Sequence, residues 1–550
     1  MPDATLHASS VRSAHADTFA RDHLPPRELW PEMDHSGLPE LAYPPRLNCA
    51  VELLDRVAAG AGGDRTAVLA PGVRWTYREL LETANRIAGV LRGDLGLVPG
   101  ERVLLRGPNN PMMAACWLAV LKAGGICVAT MPLLRARELS TVASRARVRV
   151  ALTDSRLAAE LEQAAAATPG LERIVRFGAP DEAGSLEALM RGRPATFDNA
   201  DTAADDVALI AFTSGTTGQP KGAVHFHRDV LACCDTFSAK VLRPSADDVF
   251  CGSPPLAFTF GLGGLLLFPL RAGAATLLLE QPTPPNLLAG IEEFRATVCF
   301  TAPTAYRAMA EQARGHDLSS LRKCVSAGET LPLPTFEAWR EATGISIIDG
   351  IGSTEMLHIF IGSPEEEIRP GSTGRVVPGY RARVIDPDGK PVPPGTLGRL
   401  AVQGPTGCRY LDDPERQRGY VQDGWNLTGD TYVMDEDGYF WYQARNDDMI
   451  ISAGYNIAGP EVEGALLDHP AVAECGVVGV PDPDRGQVVK AFVVLRAGHE
   501  AGPEMAKELQ DFVKREIAPY KYPRQVEFVD ALPRTQTGKL QRFRLREQEA

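Results

Sequence analysis

The chain alternates short apolar runs with segments whose apolar residues recur at helical spacing. Residues 103–105, 148–152 and 207–212 are apolar runs bounded by turn residues, and each predicts a buried strand. A capping box that begins at Thr76 precedes residues 80–91, where apolar side chains recur at helical spacing and predict a helix. Strands alternating with helices predict parallel sheets covered by helices, and therefore an α/β fold.

The character of the chain changes near residue 371. The turn sequences DPDG at 386–389 and DEDG at 435–438 each lie between short β-type runs and predict hairpins. We therefore expect a small, mostly antiparallel, barrel-like β unit over about 371–445. Beyond it, helix and strand patterns predict a compact α+β domain. The 550 residues exceed what one hydrophobic core usually sustains, so a multidomain protein is expected.

Composition narrows the classes of partner. A net charge of −13 argues against general nucleic-acid binding, because nucleic acids need concentrated positive charge. Residues 1–17 lack an apolar signal core, and glycines with Pro269 and Arg271 interrupt the most apolar stretch, 258–279. The ten cysteines form no CxxC pair and suggest buried thiols in a reducing compartment. We expect a cytoplasmic protein with no membrane partner.

A loop rich in glycine and hydroxyl groups, TSGTTGQPKG over 213–222, directly follows the apolar run 207–212. Glycine allows close backbone approach, the hydroxyls can donate hydrogen bonds, and Lys221 carries a point charge. Such a loop at the end of a strand suits a polyphosphate. A Walker A loop is excluded, because Gly222 follows Lys221 in place of Ser or Thr. The candidate phosphate-binding residues are Thr213, Ser214, Gly215, Thr216, Thr217, Gly218 and Lys221.

Four further polar motifs follow in the chain: DGIGSTE at 349–355, TGD at 428–430, RNDD at 445–448 and PRTQTGK at 533–539. Each alone has an ordinary explanation, such as a helix-terminal acid, a β-turn, a surface ion pair or a basic tail. Together and in this order they resemble the adenylate-forming superfamily, which includes acyl- and aryl-CoA synthetases. The resemblance covers nearly the whole chain. The order GIGSTEMLH, ending at His358, is similar to the benzoate-CoA and 2-aminobenzoate-CoA ligases.

The resemblance implies roles for the nucleotide site. Lys539 would reach the acid carboxylate and the α-phosphate, and Glu355 would hold Mg²⁺. Thr213 and Lys221 complete the catalytic set, while Asp430 and Arg445 would hold the ribose. Ile351 stands where the family usually has an aromatic residue. The residues implied around adenine and the phosphates are Gly328, Glu329, Thr330, Asp349, Gly350, Ile351, Gly352 and Thr354.

The implied acid pocket consists of Phe258, Phe260, Ala327, Gly352, His358 and Ile359. Bulky Phe258 and Phe260 suit a short planar acid better than a long acyl chain. An amino-acid substrate is disfavoured, because no acidic residue near Thr259 is present to pair with an α-ammonium group. His358 has two open interpretations: a hydrogen bond to an ortho substituent, or core packing.

The resemblance also implies an N-terminal adenylation domain over 1–445, a hinge over 446–448 and a mobile C-terminal lid over 449–550. Rotation at Asp447 would withdraw Lys539 and present Ser452, Gly454 and Tyr455 to CoA.

We expect an ATP-dependent aryl-CoA ligase that uses ATP, Mg²⁺ and coenzyme A and releases AMP and pyrophosphate. Benzoate, 2-aminobenzoate and salicylate stay open as the acid, and the protein would be a monomer or homodimer. The alternatives are an aryl-AMP ligase that loads a carrier protein, a short- or medium-chain acyl-CoA synthetase, and a non-catalytic nucleotide-binding protein.

Overall fold

The computed structural model describes residues 11–213, 220–445, 448–452, 455–482, 485–535 and 538–547. Within these residues the strands form four sheets. The largest is parallel except for an antiparallel strand at each edge. Its strands, in spatial order, are Ile359–Gly362, Ile347–Gly352, Lys323–Ser326, Val298–Thr301, Val249–Gly252, Ala275–Leu277, Thr66–Ala70 and Val73–Thr76.

A second sheet is parallel except for its last hairpin. Its strands, in spatial order, are Arg173–Phe177, Val150–Asp154, Arg102–Arg106, Ile126–Thr130, Val207–Thr213 and Lys221–Phe226. The strand that we predicted over 148–152 begins two residues later. Arg147 has a φ of 47° and Val148 N–H donates to the Ala143 carbonyl, so this segment closes the preceding helix.

The third sheet is antiparallel and contains both hairpins expected from the DPDG and DEDG turns. Its strands are Arg381–Ile385, Leu397–Gln403, Trp425–Met434, Val421–Gln422 and Phe440–Arg445. The fourth sheet belongs to the C-terminal part. Its strands are Tyr455–Ile457, Ile450–Ser452, Gly486–Leu495, Val472–Asp482 and Gln525–Phe528.

Helices cover the two large sheets. The predicted capping box is confirmed, because the Thr76 hydroxyl accepts from Glu79 N–H and the Glu79 carboxylate accepts from Thr76 N–H. The α-helices are Phe19–Asp22, Arg56–Ala58, Tyr77–Gly93, Pro111–Lys122, Ala136–Arg145, Ala158–Ala166, Leu186–Met190, His227–Cys233, Thr259–Leu262, Phe268–Ala272, Pro284–Phe294, Pro303–Ala310, Leu333–Thr343, Pro414–Tyr420, Gly459–Leu467, Pro503–Glu516 and Arg542–Glu547. Wider π-type turns span Val51–Asp55, Cys234–Leu242 and Gly263–Leu267.

The largest core cluster joins both large sheets. The helix Pro111–Lys122 is buried on nearly every side, which explains why its sequence is apolar all round. The lid has separate cores on the two faces of its own sheet. The expected multidomain α/β architecture, with a large N-terminal and a small C-terminal domain, is confirmed. In the described part of the chain, no helix has both the length and the apolar character needed to cross a bilayer.

Candidate active site

Two of the phosphate-loop candidates, Thr213 and Lys221, lie on the two strands of one hairpin. Thr213 ends one strand and pairs with Lys221, which begins the next. The predicted ligands Ser214, Gly215, Thr216, Thr217 and Gly218 fall outside the described residues. The hairpin therefore holds Thr213 and Lys221 side by side where the loop leaves and re-enters the sheet.

Glu355 lies in a turn between the strands Ile347–Gly352 and Ile359–Gly362. Its buried carboxylate accepts a hydrogen bond of 2.5 Å from the Tyr410 hydroxyl. The preceding carbonyl, that of Thr354, accepts from His225 Nε2 at 2.7 Å. Burial lowers the pKa of His225 to about 4, so the ring is neutral and Nε2 carries its proton. Two side chains from elsewhere in the chain thus hold the backbone and the carboxylate of this turn.

The same turn contains a strained residue. Leu357 has a φ of 70° although it is buried and is not glycine. A left-handed conformation costs a residue of this kind roughly 1–2 kcal/mol, and such strain is often found at functional sites. Leu357 lies between Glu355 and His358, so the strained backbone falls within the stretch that carries both candidate residues.

The candidate adenine-lining residues come from two neighbouring strand ends. Asp349 Oδ1 is enclosed and accepts no hydrogen bond from the described residues, and burial raises the pKa of Asp349 to about 8. Gly350 packs beneath Ile359, because a Cβ there would lie 2.8 Å from Ile359 Cγ2. Ile351 and Thr354 are partly exposed along the same stretch. Gly328, Glu329 and Thr330 follow the end of the neighbouring parallel strand, Lys323–Ser326.

The candidate ribose-binding pair is formed across a hairpin. Arg445 Nη1 lies 3.1 Å from Asp430 Oδ1 and also donates to the Thr428 carbonyl. Burial raises the pKa of Asp430, and the Arg445 guanidinium opposes that rise. Because a carboxylate can accept from two hydroxyls, this arrangement fits a vicinal diol.

Lys539 reaches the N-terminal domain from the lid. A Cβ at Gly328 would lie 3.6 Å from Lys539 Cε, and Gly328 has a φ of 90°. Arg534, from the same motif, lies 3.4 Å from Glu329. Lys539 is exposed, but the surrounding protein lowers its pKa by desolvation, while Glu329 and Asp430 oppose this. The lid is therefore docked with its lysine beside the candidate nucleotide residues.

The acid-pocket candidates surround an aromatic cluster. His358 is buried, and its ring centroid lies 4.5 Å from that of Phe268 and 5.8 Å from that of Phe260. Gly263 makes room for it, because a Cβ there would lie 2.3 Å from His358 Cδ2. Burial lowers the pKa of His358 to about 3, with only the Phe260 backbone acting in the opposite direction.

Neither ring nitrogen of His358 makes a hydrogen bond within the described residues, so both interpretations of this residue stay open. Phe258 and Phe260 are partly exposed, whereas Ala327 and Ile359 are buried. Gly352 packs directly against the His358 backbone.

The CoA candidates lie on the lid and not in this cluster. Ser452 is buried, and Tyr455 is 56% exposed and packs against Tyr520 with ring centroids 4.7 Å apart and ring planes tilted by 30°. Gly454 and the hinge residue Asp447 lie outside the described residues, so their roles stay predictions.

Several residues that contact the site were not predicted from the sequence. Tyr410, His225 and Arg534 contact Glu355, Thr354 and Glu329, respectively. Arg534 lies inside the PRTQTGK motif and was open to detection there. Tyr410 and His225 were not, because a single tyrosine or histidine has no diagnostic spacing.

Two family models match the chain. The AMP-binding enzyme model matches residues 54–409, and the model of the AMP-binding enzyme C-terminal domain matches residues 461–539. These matches, which include the hairpin at Thr213 and Lys221 and extend to Lys539, define the class of protein. The chain belongs to the family of AMP-binding enzymes and is an AMP-forming acid–thiol ligase.

Its relatives include ligases for aromatic and other acids. The chain is 37% identical to a benzoate–CoA ligase of Thauera aromatica, with 93% of this chain and 98% of that protein covered. It is 34% identical to the mitochondrial acyl-coenzyme A synthetase ACSM3 of Mus musculus, with 87% and 84% covered. Among solved structures, the anthranilate CoA ligase AuaEII in complex with anthranoyl-AMP matches with a TM-score of 0.89 at 36% identity, covering 93% and 99%.

Enzymes of this family use ATP, Mg²⁺ and coenzyme A. The residues present fit the metal, because Mg²⁺ is usually held by one or two carboxylates together with substrate phosphates and water. In the described ranges, no group of three or more histidine, cysteine or acidic residues forms a cage of its own. Glu355, buried beside the strand that begins at Lys221, offers the single carboxylate that such a site needs.

Proposed function

We propose that the protein is an aryl-CoA ligase for a benzoate-type acid: benzoate, 2-aminobenzoate or salicylate. The observation that carries the proposal is the aromatic wall of the acid pocket. His358 and Phe260 lie within ring contact of Phe300, and Gly263 packs closely against the histidine ring because it has no side chain. A wall of packed rings favours a short flat acid, because aromatic groups stack or meet edge to face.

The chemistry follows from the charges on the site. Lys539 and Lys221 supply positive charge where negative charge develops on phosphate oxygens during attack of the acid carboxylate on the α-phosphorus. Glu355 would hold Mg²⁺, which neutralises phosphate charge when bound. Asp430 and Arg445 would orient the ribose, and Asp349 would face the adenine amino group. The acyl adenylate forms with release of pyrophosphate, and the CoA thiol then displaces AMP.

Two of the three relatives named above are named for aromatic acids, which favours an aromatic acid over a straight-chain acid. The matched proteins include a ligase named for benzoate and a structure that contains anthranoyl-AMP. The rotation of the lid about Asp447 and the domain limits 1–445 and 449–550 belong to the same proposal.

The test is pyrophosphate release by the purified protein with Mg²⁺ and ATP across a panel of acids. The panel contains benzoate, 2-aminobenzoate, salicylate and 3-hydroxybenzoate, with straight-chain acids of four to ten carbons as the comparison. We expect the highest kcat/KM for a benzoate. A preference for a straight-chain acid contradicts the proposal. Product analysis with free CoA and with a phosphopantetheinyl carrier protein then identifies the acceptor.

A further inference from the structure

The segment that contains Tyr410 is fixed to the strand that leaves the phosphate loop. Val224 N–H donates to the Arg409 carbonyl and Leu411 N–H to the Gly222 carbonyl, both at 2.8 Å. These bonds make Tyr410 a neighbour of the strand Lys221–Phe226. Its own N–H donates to Gln417 Oε1 at 2.9 Å. Tyr410 therefore has a fixed backbone position relative to Lys221.

The Tyr410 side chain joins two candidate groups of the nucleotide site. Its hydroxyl donates to Glu355 Oε1 at 2.5 Å, and its ring centroid lies 5.6 Å from Lys221 Nζ. The Tyr420 ring packs edge-on against it, with centroids 5.8 Å apart, and only 1% of Tyr410 is exposed. A hydrogen bond to a carboxylate is short and about twice as strong as one between neutral groups. The ring is thus locked by packing, and the hydroxyl is committed to Glu355.

Among the described residues, Tyr410 is the hydrogen-bond partner of the Glu355 carboxylate, whereas the other bonds in this turn hold its backbone. The turn passes through the left-handed Leu357, and its backbone is held by the His225 bond to the Thr354 carbonyl and by the Thr406 hydroxyl, which donates to the Met356 carbonyl. A glutamate loses considerable rotamer freedom when it is fixed. Prior orientation by a neighbouring donor removes that cost from ligand binding.

We propose that Tyr410 is a positioning residue that orients the Glu355 carboxylate for the metal–nucleotide complex. Its hydroxyl fixes one carboxylate oxygen, and its ring keeps that carboxylate and the Lys221 ammonium at a set separation. The proposal rests on the proposed role of Glu355 as the magnesium ligand. It assigns no chemical step to Tyr410.

The experiment compares Tyr410→Phe with Tyr420→Phe, a matched control. Each variant loses one hydroxyl, but the Tyr420 hydroxyl hydrogen-bonds to Ser353 and not to Glu355. Binding of Mn²⁺–ATP to each variant is measured from the signal of free Mn²⁺ in electron paramagnetic resonance. Binding of metal-free ATP is measured by calorimetry in EDTA. We expect Tyr410→Phe to weaken Mn²⁺–ATP binding at least ~10-fold, the scale for loss of an outer-shell partner of a metal ligand. We expect Tyr410→Phe to bind metal-free ATP about as tightly as wild type does. We expect Tyr420→Phe to keep near-wild-type affinity for both Mn²⁺–ATP and metal-free ATP.

A second arm asks whether Tyr410 acts through Glu355. In a Glu355→Gln background, Tyr410→Phe is expected to change Mn²⁺–ATP binding less than about twofold, because coupled residues are non-additive. Conversion of supplied benzoyl-AMP to its thioester stays intact in Tyr410→Phe.

Three binding results overturn the proposal. Tyr410→Phe keeps wild-type affinity for Mn²⁺–ATP, or it loses as much affinity for metal-free ATP in EDTA as for Mn²⁺–ATP, or the affinity losses of Tyr410→Phe and Glu355→Gln add up in the double variant. Failure of Tyr410→Phe to fold also overturns it, since the ring and its packing are retained. If the wild type activates no aryl acid, the proposed function fails, but the Mn²⁺–ATP titrations still decide the role of Tyr410.

Discussion

At the scale of single residues, the site contains ionisable groups in unusual states. Asp349 is the clearest case, because its Oδ1 is enclosed without a hydrogen-bond partner among the described residues. Its pKa of about 8 means that the carboxyl is mostly protonated at pH 7, whereas it is ionised in the unfolded chain. An asparagine has nearly the same shape and no charge at any pH, so it isolates the effect of ionisation.

We predict that Asp349→Asn becomes progressively more stable than wild type as pH rises from 4 to 8. The folded state keeps its proton over this window while the unfolded state loses it, so wild-type stability falls with rising pH. The difference grows by at most about 1.4 kcal/mol per pH unit and levels off above pH 8. Urea unfolding of both proteins at pH 5, 6, 7 and 8 measures it. A difference that is independent of pH contradicts the assignment of a neutral carboxyl.

Lys539 is the second residue for which we predict a specific effect of mutation on activity. Lys539→Ala is predicted to lower adenylation by ~10²–10³-fold, the scale for loss of one preorganised electrostatic donor. Thioester formation from supplied aryl-AMP should be largely intact, because the lysine serves the first half-reaction. Lys507→Ala, an exposed lysine on the lid helix Pro503–Glu516, is the control. Equal damage to both half-reactions argues against this division of labour.

At the scale of elements, the acid pocket depends on close packing between a wide helical turn and the Glu355 turn. Gly263 begins the turn Gly263–Leu267 and faces the His358 ring. A methyl group there cannot be accommodated, because 2.3 Å is far below van der Waals contact. The glycine is required here by space and not by its backbone angles.

We predict that Gly263→Ala destabilises the protein by about 1–3 kcal/mol, the usual cost of overpacking, and raises KM for the acid while sparing ATP binding. Gly89→Ala is the matched control. That residue lies in the helix Tyr77–Gly93, and a Cβ there would meet nothing closer than 3.8 Å. The control should be neutral or stabilising, since alanine favours helices by about 1 kcal/mol over glycine. Thermal unfolding and acid titrations test both, and an unaffected Gly263→Ala refutes the packing argument.

At the scale of the whole molecule, the contacts of three arginines in the described part of the chain help to hold the lid against the N-terminal domain. Arg307 donates to the carbonyls of Leu467 and Val472, Arg496 pairs with Glu311 at 2.9 Å, and Arg534 pairs with Glu329. Leu467 ends the helix Gly459–Leu467, where carbonyls lack helical partners and attract a cation. The Arg496 pair is exposed and therefore weak.

We predict that Arg307→Ala shifts the lid away from the docked arrangement by roughly 1–2 kcal/mol, a factor of about 5–30 in population. Adenylation should slow, while thioester formation from supplied aryl-AMP should be unchanged or faster. Arg496→Gln should have a much smaller effect. Single-turnover measurements of the two half-reactions separate these results, and parallel loss in both by Arg307→Ala shows that Arg307 does not act on the docking equilibrium.

The sequence by itself determined the α/β class, the DPDG and DEDG hairpins, the Thr76 cap and membership of the family. Each of these features depends on residues that are close together in the chain: a regular spacing of apolar residues, a turn tetrapeptide, or a contiguous motif such as TSGTTGQPKG. The roles given to the motif residues, and the hinge at Asp447, stay predictions.

Only the tertiary structure decided which side chains support those motifs. Tyr410 meets Glu355 across 55 positions, and Arg307 meets the Leu467 carbonyl across 160. Such contacts have no local period, because they arise where strands and domains far apart in the chain come together. The same is true of Asp349, whose raised pKa comes from burial that no single segment encodes.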